Sequence, residues 1–127
     1  ETLSPYAKLQ INLVKAANLL AVDPSLVRSP TSDPYVEVFL DDVCKHTTAV
    51  RNRTLSPTWE EIVTLDIVTP MSMVRLHVMD KNTWKHDVPI GFVEFCVRDL
   101  PFDDLVEGWL ELRLQKYLRS VSTERYQ

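Results

Sequence analysis

The sequence predicts an all-β domain, an eight-stranded antiparallel β-sandwich, and three observations carry that prediction. Short runs in which apolar and polar residues alternate recur along the chain at roughly ten-residue intervals, the pattern of half-buried strands. Turn-forming residues such as Asp41-Asp42 and Ser56-Pro57 punctuate these runs. Nowhere does a long helical period or an internal repeat appear. Such a chain packs one sheet on another, with loops gathered at the two ends.

In chain order, the first strand covers residues 8–14, with Leu9, Ile11 and Leu13 facing inward and Lys8, Gln10 and Asn12 facing water. Residues 21–32 form a long loop with two prolines. Leu26 and Val27 stand in mid-loop, where they either tuck under it or point outward as an apolar tip. In Ser32-Asp33-Pro34-Tyr35-Val36-Glu37-Val38, Asp33 closes the loop. Pro34 suits a strand's first position because it has no amide hydrogen for the ladder, and Val36, Val38 and Leu40 alternate with Tyr35, Glu37 and Phe39. Asp41-Asp42 then turns the chain into residues 43–50. Lys45, His46, Arg51 and Arg53 form a modest basic cluster there, read either as a solvated strand face or as a grip for anionic groups.

Leu55-Ser56-Pro57 leads into a strand at residues 59–68, where Trp59, Val63, Leu65 and Ile67 share a core face. The strand at 74–79 ends on Asp80, and the loop to Pro89 carries Asn82, Trp84, Lys85, His86 and Asp87. Residues 90–97 form the next strand, with Val93, Phe95 and Val97 inward and Gly91 marking a bulge or a close backbone approach. Residues 98–107 are a short helix or an irregular connection, residues 109–114 alternate as a seventh strand, and the tail offers an eighth through Val121.

At 127 residues, 45% hydrophobic and 25% charged, the chain has the composition of one globular domain, residues 1–127 with a core at 8–114. No apolar run approaches the ~20 residues that span a bilayer, so any membrane contact is expected to be peripheral. The start at Glu1 without methionine suggests a fragment of a larger protein or a processed product. Cys44 and Cys96 lie in different strands without metal-ligand spacing, which predicts buried free thiols and a cytoplasmic location. Asn52-Arg53-Thr54 matches a glycosylation acceptor that only a secreted chain would use. A net charge of −4 argues against nucleic acid.

Several stretches, in order, resemble the C2 domain, a β-sandwich module that binds calcium and membranes. They are residues 9–20, Asp23, Ser32 to Val36, Thr54-Leu55-Ser56-Pro57-Thr58-Trp59, Val78 to Asp80 with Asn82 and Asp87, Ile90-Gly91, and Trp109-Leu110-Glu111-Leu112. The likeness covers nearly everything from Lys8 to Leu114. It implies calcium-binding loops at one end of the sandwich, with Asp23, Asp33, Asp80, Asn82 and Asp87 as the metal ligands. The chain departs from the family pattern in three places: Asp23 and Asp33 are widely separated, Asp87 falls one place early, and Pro89 adds a residue before Gly91.

Calcium takes six to eight oxygen ligands at roughly 2.3–2.6 Å, and these carboxylates with the Asn82 amide are of that kind. The resemblance implies that lipid phosphate completes the coordination of bound calcium, which would also reverse the local negative field. Leu26, Val27, Arg28, Trp84, Lys85 and Val88 are then the expected membrane contacts, an indole beside the ligands being suited to the bilayer interface. Lys45, Arg51 and Arg53 are the expected basic lipid-binding set. The chain lacks a phosphate-cradling glycine loop, a nucleophile elbow and a paired-histidine metal motif, so an enzyme is not expected. The expected function is calcium-dependent targeting to anionic phospholipid. The alternatives are a calcium-independent C2 domain that binds a protein partner, and an extracellular adhesion sandwich glycosylated at Asn52.

Overall fold

Alternation in the sequence becomes six strands in the computed structural model, which describes residues 6–19, 32–82 and 86–113. They are β1 (Ala7–Lys15), β2 (Pro34–Leu40), β3 (Val43–Thr47), β4 (Thr58–Ile67), β5 (Met73–Asp80) and β6 (Val88–Cys96). β1 and β4 pair antiparallel as one sheet, and a second, four-stranded sheet runs β3-β2-β5-β6 with every neighbour antiparallel. The expected all-β antiparallel architecture is present.

The core lies between the sheets and draws on the alternate residues read from the sequence. Val36, Val38 and Leu40 of β2 and Val74 and Val78 of β5 meet Leu13 of β1 and Trp59, Val63, Leu65 and Ile67 of β4. Val38, Val74 and Ile67 are 0% exposed. Burying a side chain of that size stabilises a fold by about 1.5–3 kcal/mol each, before conformational entropy is subtracted. Pro34, at the first position of β2, is also fully buried.

Turns and bulges set the register. Asp41 and Asp42 have φ of 47° and 68°, the doubly positive pair of a two-residue hairpin loop between β2 and β3. Asp41 also accepts the Met73 amide at 2.9 Å through Oδ1, tying that hairpin to the start of β5. In β4 the register jumps from Leu13↔Glu61 to Lys15↔Thr58, and Glu60 takes up the extra residue at φ 52°. Between β5 and β6 the pairs Val78↔Gly91 and Met79↔Pro89 leave Ile90 as the extra residue, 1% exposed. The added place at Pro89 is therefore absorbed as a bulge at the very edge of the candidate site.

Four expectations are corrected. Six strands, not seven, are formed among the described residues, and the tail offered as an eighth lies outside them. Residues 109–113 do not make a strand: Arg113 alone bridges Phe92, with both N–H···O bonds at 2.8 Å, and Trp109 and Leu110 stay exposed. Alternation describes one strand's two faces but supplies no neighbour, and a strand without a ladder along its length is not formed. β3 ends at Thr47 rather than Val50, because Thr48 pairs with Val36 through both its amide and its hydroxyl, and the hydroxyl's acceptance of the Val36 amide turns the chain out of the ladder. Cys44 is exposed, since β3 is an edge strand, and Cys96 is only half-buried. After β6 the chain makes one 3₁₀ turn, Val97–Asp99, and is irregular through the last described residues, 100–113, apart from the Arg113 bridge.

Candidate functional site

Three chain segments meet where β2 begins, β5 ends and β6 begins. Pro34 is opposite Asp80, and Asp80 is opposite Val88, so antiparallel pairing brings the residues around 33, 80 and 87 to one end of the four-stranded sheet. Sequence separation is irrelevant to this encounter, because strand direction alone decides which termini adjoin. Asp80, only 6% exposed, accepts the Asp33 amide at 2.8 Å, and the Lys81 amide returns a bond to the Asp33 carbonyl at 2.9 Å. Asp33 in turn accepts the amide of Arg53 at 2.7 Å; Arg53 sits at φ 55° in the loop between β3 and β4. Asp33 therefore fastens a third loop to this end.

Asp87 is held from several directions. Its Oδ1 accepts the Asn82 amide at 2.9 Å, its Oδ2 accepts the Tyr35 hydroxyl at 2.5 Å, and the Lys81 ammonium stands 3.7 Å from Oδ2. Burial pushes the Asp87 carboxyl up, but the Tyr35 hydroxyl, the Asn82 amide and the Lys81 charge outweigh it and hold the group below the usual carboxylate range. Burial first, then the bond to Asp87 and the charges of Asp87 and Glu37, pushes the Tyr35 hydroxyl well above its ordinary value. The pair is thus a neutral phenol donating to an ionised carboxylate.

Of the ligands expected from the sequence, Asp33, Asp80, Asn82 and Asp87 share this end, and Asp23 lies outside the described residues. Among the expected membrane contacts, Val88 begins β6 half-buried opposite Asp80, whereas Leu26, Val27, Arg28, Trp84 and Lys85 lie outside the described residues. Lys45 is exposed on β3, Arg51 donates from Nε to the Thr58 carbonyl at 2.8 Å, and Arg53 is exposed beside Asp33. The basic residues therefore follow the edge of the molecule from β3 to the candidate site.

Sequence reasoning missed two contributors. Tyr35 alternates as an outward strand residue, yet its hydroxyl reaches Asp87 fifty-two positions away. The Asp-Pro-Tyr string was the available signal, because it fixes a hydroxyl two places after a carboxylate. Glu61 was likewise unmarked: its Oε1 meets His46 Nε2 at 3.0 Å and its Oε2 accepts the Ala49 amide at 2.9 Å, joining β4 to the edge strand β3. On the outer face of the four-stranded sheet, His77 lies between Phe39 and Phe92, and Arg75 stands 4.7 Å over Phe92.

Oxygen donors of this kind suit calcium, a hard cation, and the ionised state of Asp87 suits it further. Among the described residues, however, no group of three or more His, Cys, Asp or Glu side chains is arranged to hold a metal ion. The donor chemistry fits, and the described carboxylates alone do not complete a coordination shell. Among the described residues no helix is long and apolar enough to cross a membrane.

The C2 domain family model matches residues 7–112 of the chain. Multiple C2 and transmembrane domain-containing protein 2 of Mus musculus is 34% identical over 110 residues, covering 86% of this chain and 12% of that protein. Synaptotagmin-1 of Aplysia californica is 32% identical over 112 residues, covering 84% of this chain and 25% of that protein. This chain thus spans only a small part of those relatives' length. Among solved structures, the two tandem C2 domains of Extended-Synaptotagmin 2, described as calcium bound, match with a TM-score of 0.75 at 22% identity, over 85% of this chain and 40% of that one; this likeness shows the fold.

Proposed function

Because the chain belongs to the C2 domain family, we propose that it is a calcium-dependent, peripheral membrane-targeting module that binds anionic phospholipid. The observation that carries the reading is the meeting of Asp33, Asp80 and Asp87 at one end of the sheet, linked by the Asp33 amide on Asp80 and the strand pairing around them. Asp33, Asp80, Asn82 and Asp87, with Asp23, would hold the ion. Bound there, calcium supplies positive charge and coordination positions that lipid phosphate oxygens can fill. The chain's own residues do the rest: Asp80 and Asp33 keep the loops together, the Asn82 amide on Oδ1 orients Asp87, and Val88, Leu26, Val27 and Trp84 would supply the apolar contacts to the bilayer. Lys45, Arg51 and Arg53, with Arg28 and Lys85, are the cations facing the headgroups, each worth about 1 kcal/mol near an anionic leaflet. We read the chain as one non-catalytic domain of a longer protein that visits membranes from the cytoplasmic side.

Sedimentation with phosphatidylserine vesicles tests this, in calcium and in chelator, with Asp80→Asn alongside. Binding that needs calcium and weakens in the variant is expected. Equal binding in calcium and chelator would remove the calcium bridge and leave Lys45, Arg51 and Arg53 as the docking set. A second reading, a C2 domain that recognises a protein without calcium, is favoured by one observation: Asp33, Asp80 and Asp87 each already accept a backbone amide, as loop caps do. Absence of vesicle binding in both conditions would select it.

A further inference from the structure

We propose that Tyr35 and Lys81 together restrain Asp87, so that a divalent cation must compete with an internal hydroxyl and an internal ammonium before Asp87 can serve as a ligand. The inference rests on the calcium reading above and adds a regulating pair to it. Asp33 and Asp80 accept backbone amides, which hold the loops in place and bring no net charge to the site. Asp87 Oδ2 is different in kind: it faces a phenol hydroxyl at 2.5 Å and an ammonium at 3.7 Å. The hydroxyl is anchored, since Tyr35 is 7% exposed and lies in β2 between β3 and β5. The ammonium is movable, since the Lys81 side chain is 56% exposed and lies just after the end of β5.

These two partners have different consequences. Tyr35 satisfies Asp87 Oδ2 from within the fold, so an ion that takes this oxygen gains only what exceeds the hydrogen bond it displaces. Lys81 places a positive charge where a second positive charge would have to enter, and the two repel each other. An ion that enlists Asp87 therefore releases Lys81, one residue from Asp80, at the end of the molecule that faces the headgroups. Lys81 then opposes calcium in the absence of lipid and assists docking in its presence. An ordinary surface lysine does only the second.

The test is calorimetric calcium titration, without lipid, of the wild-type domain, Lys81→Met, Tyr35→Phe, the double variant, and Lys8→Met as a control with the same charge change on β1, where Lys8 pairs with Asp66. Circular dichroism checks that each is folded. Lys81→Met is expected to bind calcium about two- to five-fold more tightly, the range for loss of a largely exposed ion pair, and Lys8→Met no more tightly than wild type. Tyr35→Phe is expected to tighten binding as well. The double variant should gain less than the product of the two, because both act through Asp87. At saturating calcium, Lys81→Met should bind phosphatidylserine vesicles more weakly than wild type. If wild type binds calcium and Lys81→Met binds no better, or the double variant shows the full product, the restraint is refuted while the calcium reading stands. Calcium binding by the variants but not by wild type would establish the restraint in its strongest form. No binding by any of the five proteins would refute the calcium reading and the restraint with it.

Discussion

Replacing Tyr35 by Phe removes one oxygen from the structure and leaves Asp87 Oδ2 without the donor that faces it at 2.5 Å. Tyr35 is 7% exposed, and the Asp87 side chain is one-fifth exposed, so water can reach the carboxylate only in part. A hydrogen bond to a charged group contributes about 1.5–3 kcal/mol; allowing for partial rehydration, the loss should be about 1–2 kcal/mol. For 127 residues the unfolding entropy near Tm is about 0.27 kcal/mol/K, so Tm should fall by about 4–7 °C in chelator at pH 7. The sign of the pH dependence follows from Asp87, whose carboxyl lies below its ordinary range when folded. Its contribution is complete above the unfolded carboxylate pKa and is lost as pH falls through the lower folded value. Tyr35 is raised, so its hydroxyl remains a donor throughout the neutral range, and its contribution is lost only as pH rises through that raised value. Differential scanning calorimetry of both proteins between neutral and acid pH is the assay. The gap should narrow toward acid. A Tm difference under about 1 °C at neutral pH, or a gap unchanged in acid, would refute the argument that Tyr35 stabilises the fold through the ionised carboxylate.

Glu61→Gln should lower stability by about 1–2 kcal/mol, because the charged acceptor of the Ala49 amide becomes a neutral one. The Ala49 amide depresses the Glu61 carboxyl, burial opposes this, and His46 adds to the depression. The loss should therefore be full above the usual carboxylate pKa and vanish as pH falls through the lower folded value, which urea midpoints can follow. Gly91→Ala would place a methyl 2.8 Å from the Arg113 carbonyl oxygen and 3.3 Å from Leu112 Cβ. A cost of about 1–3 kcal/mol is expected, with faster hydrogen exchange at the Phe92 and Arg113 amides; unchanged exchange there would show that the backbone yields without losing the pair. Asp42→Gly should raise stability by about 0.5–1 kcal/mol, since φ of 68° costs glycine little; a lower Tm would argue against the turn geometry.

Much of the fold was readable because two-residue alternation is a local property. Val36, Val38 and Leu40, and Trp59, Val63, Leu65 and Ile67, declare their faces from their own spacing, and all lie in the core. Alternation failed where a partner decides the outcome: residues 109–113 alternate as well as any strand, yet Arg113 alone pairs, and Cys44 is exposed because β3 has a neighbour on one side only. The candidate site divides along the same line. Carboxylates at strand exits are visible in sequence, since Asp33 precedes a strand and Asp80 ends one.

The sequence by itself determined the all-β class, the inward face of each strand and the acidic residue types at the loop ends, because those follow from composition and period. Tertiary structure alone decided which of those acids are neighbours and who holds them. Antiparallel pairing sets Pro34 against Asp80 and Asp80 against Val88, and only then can Tyr35 donate to Asp87 and Lys81 stand beside it. Hydrogen bonds of about 3 Å between residues some fifty positions apart depend on register, and register is a relation between strands that no single strand contains.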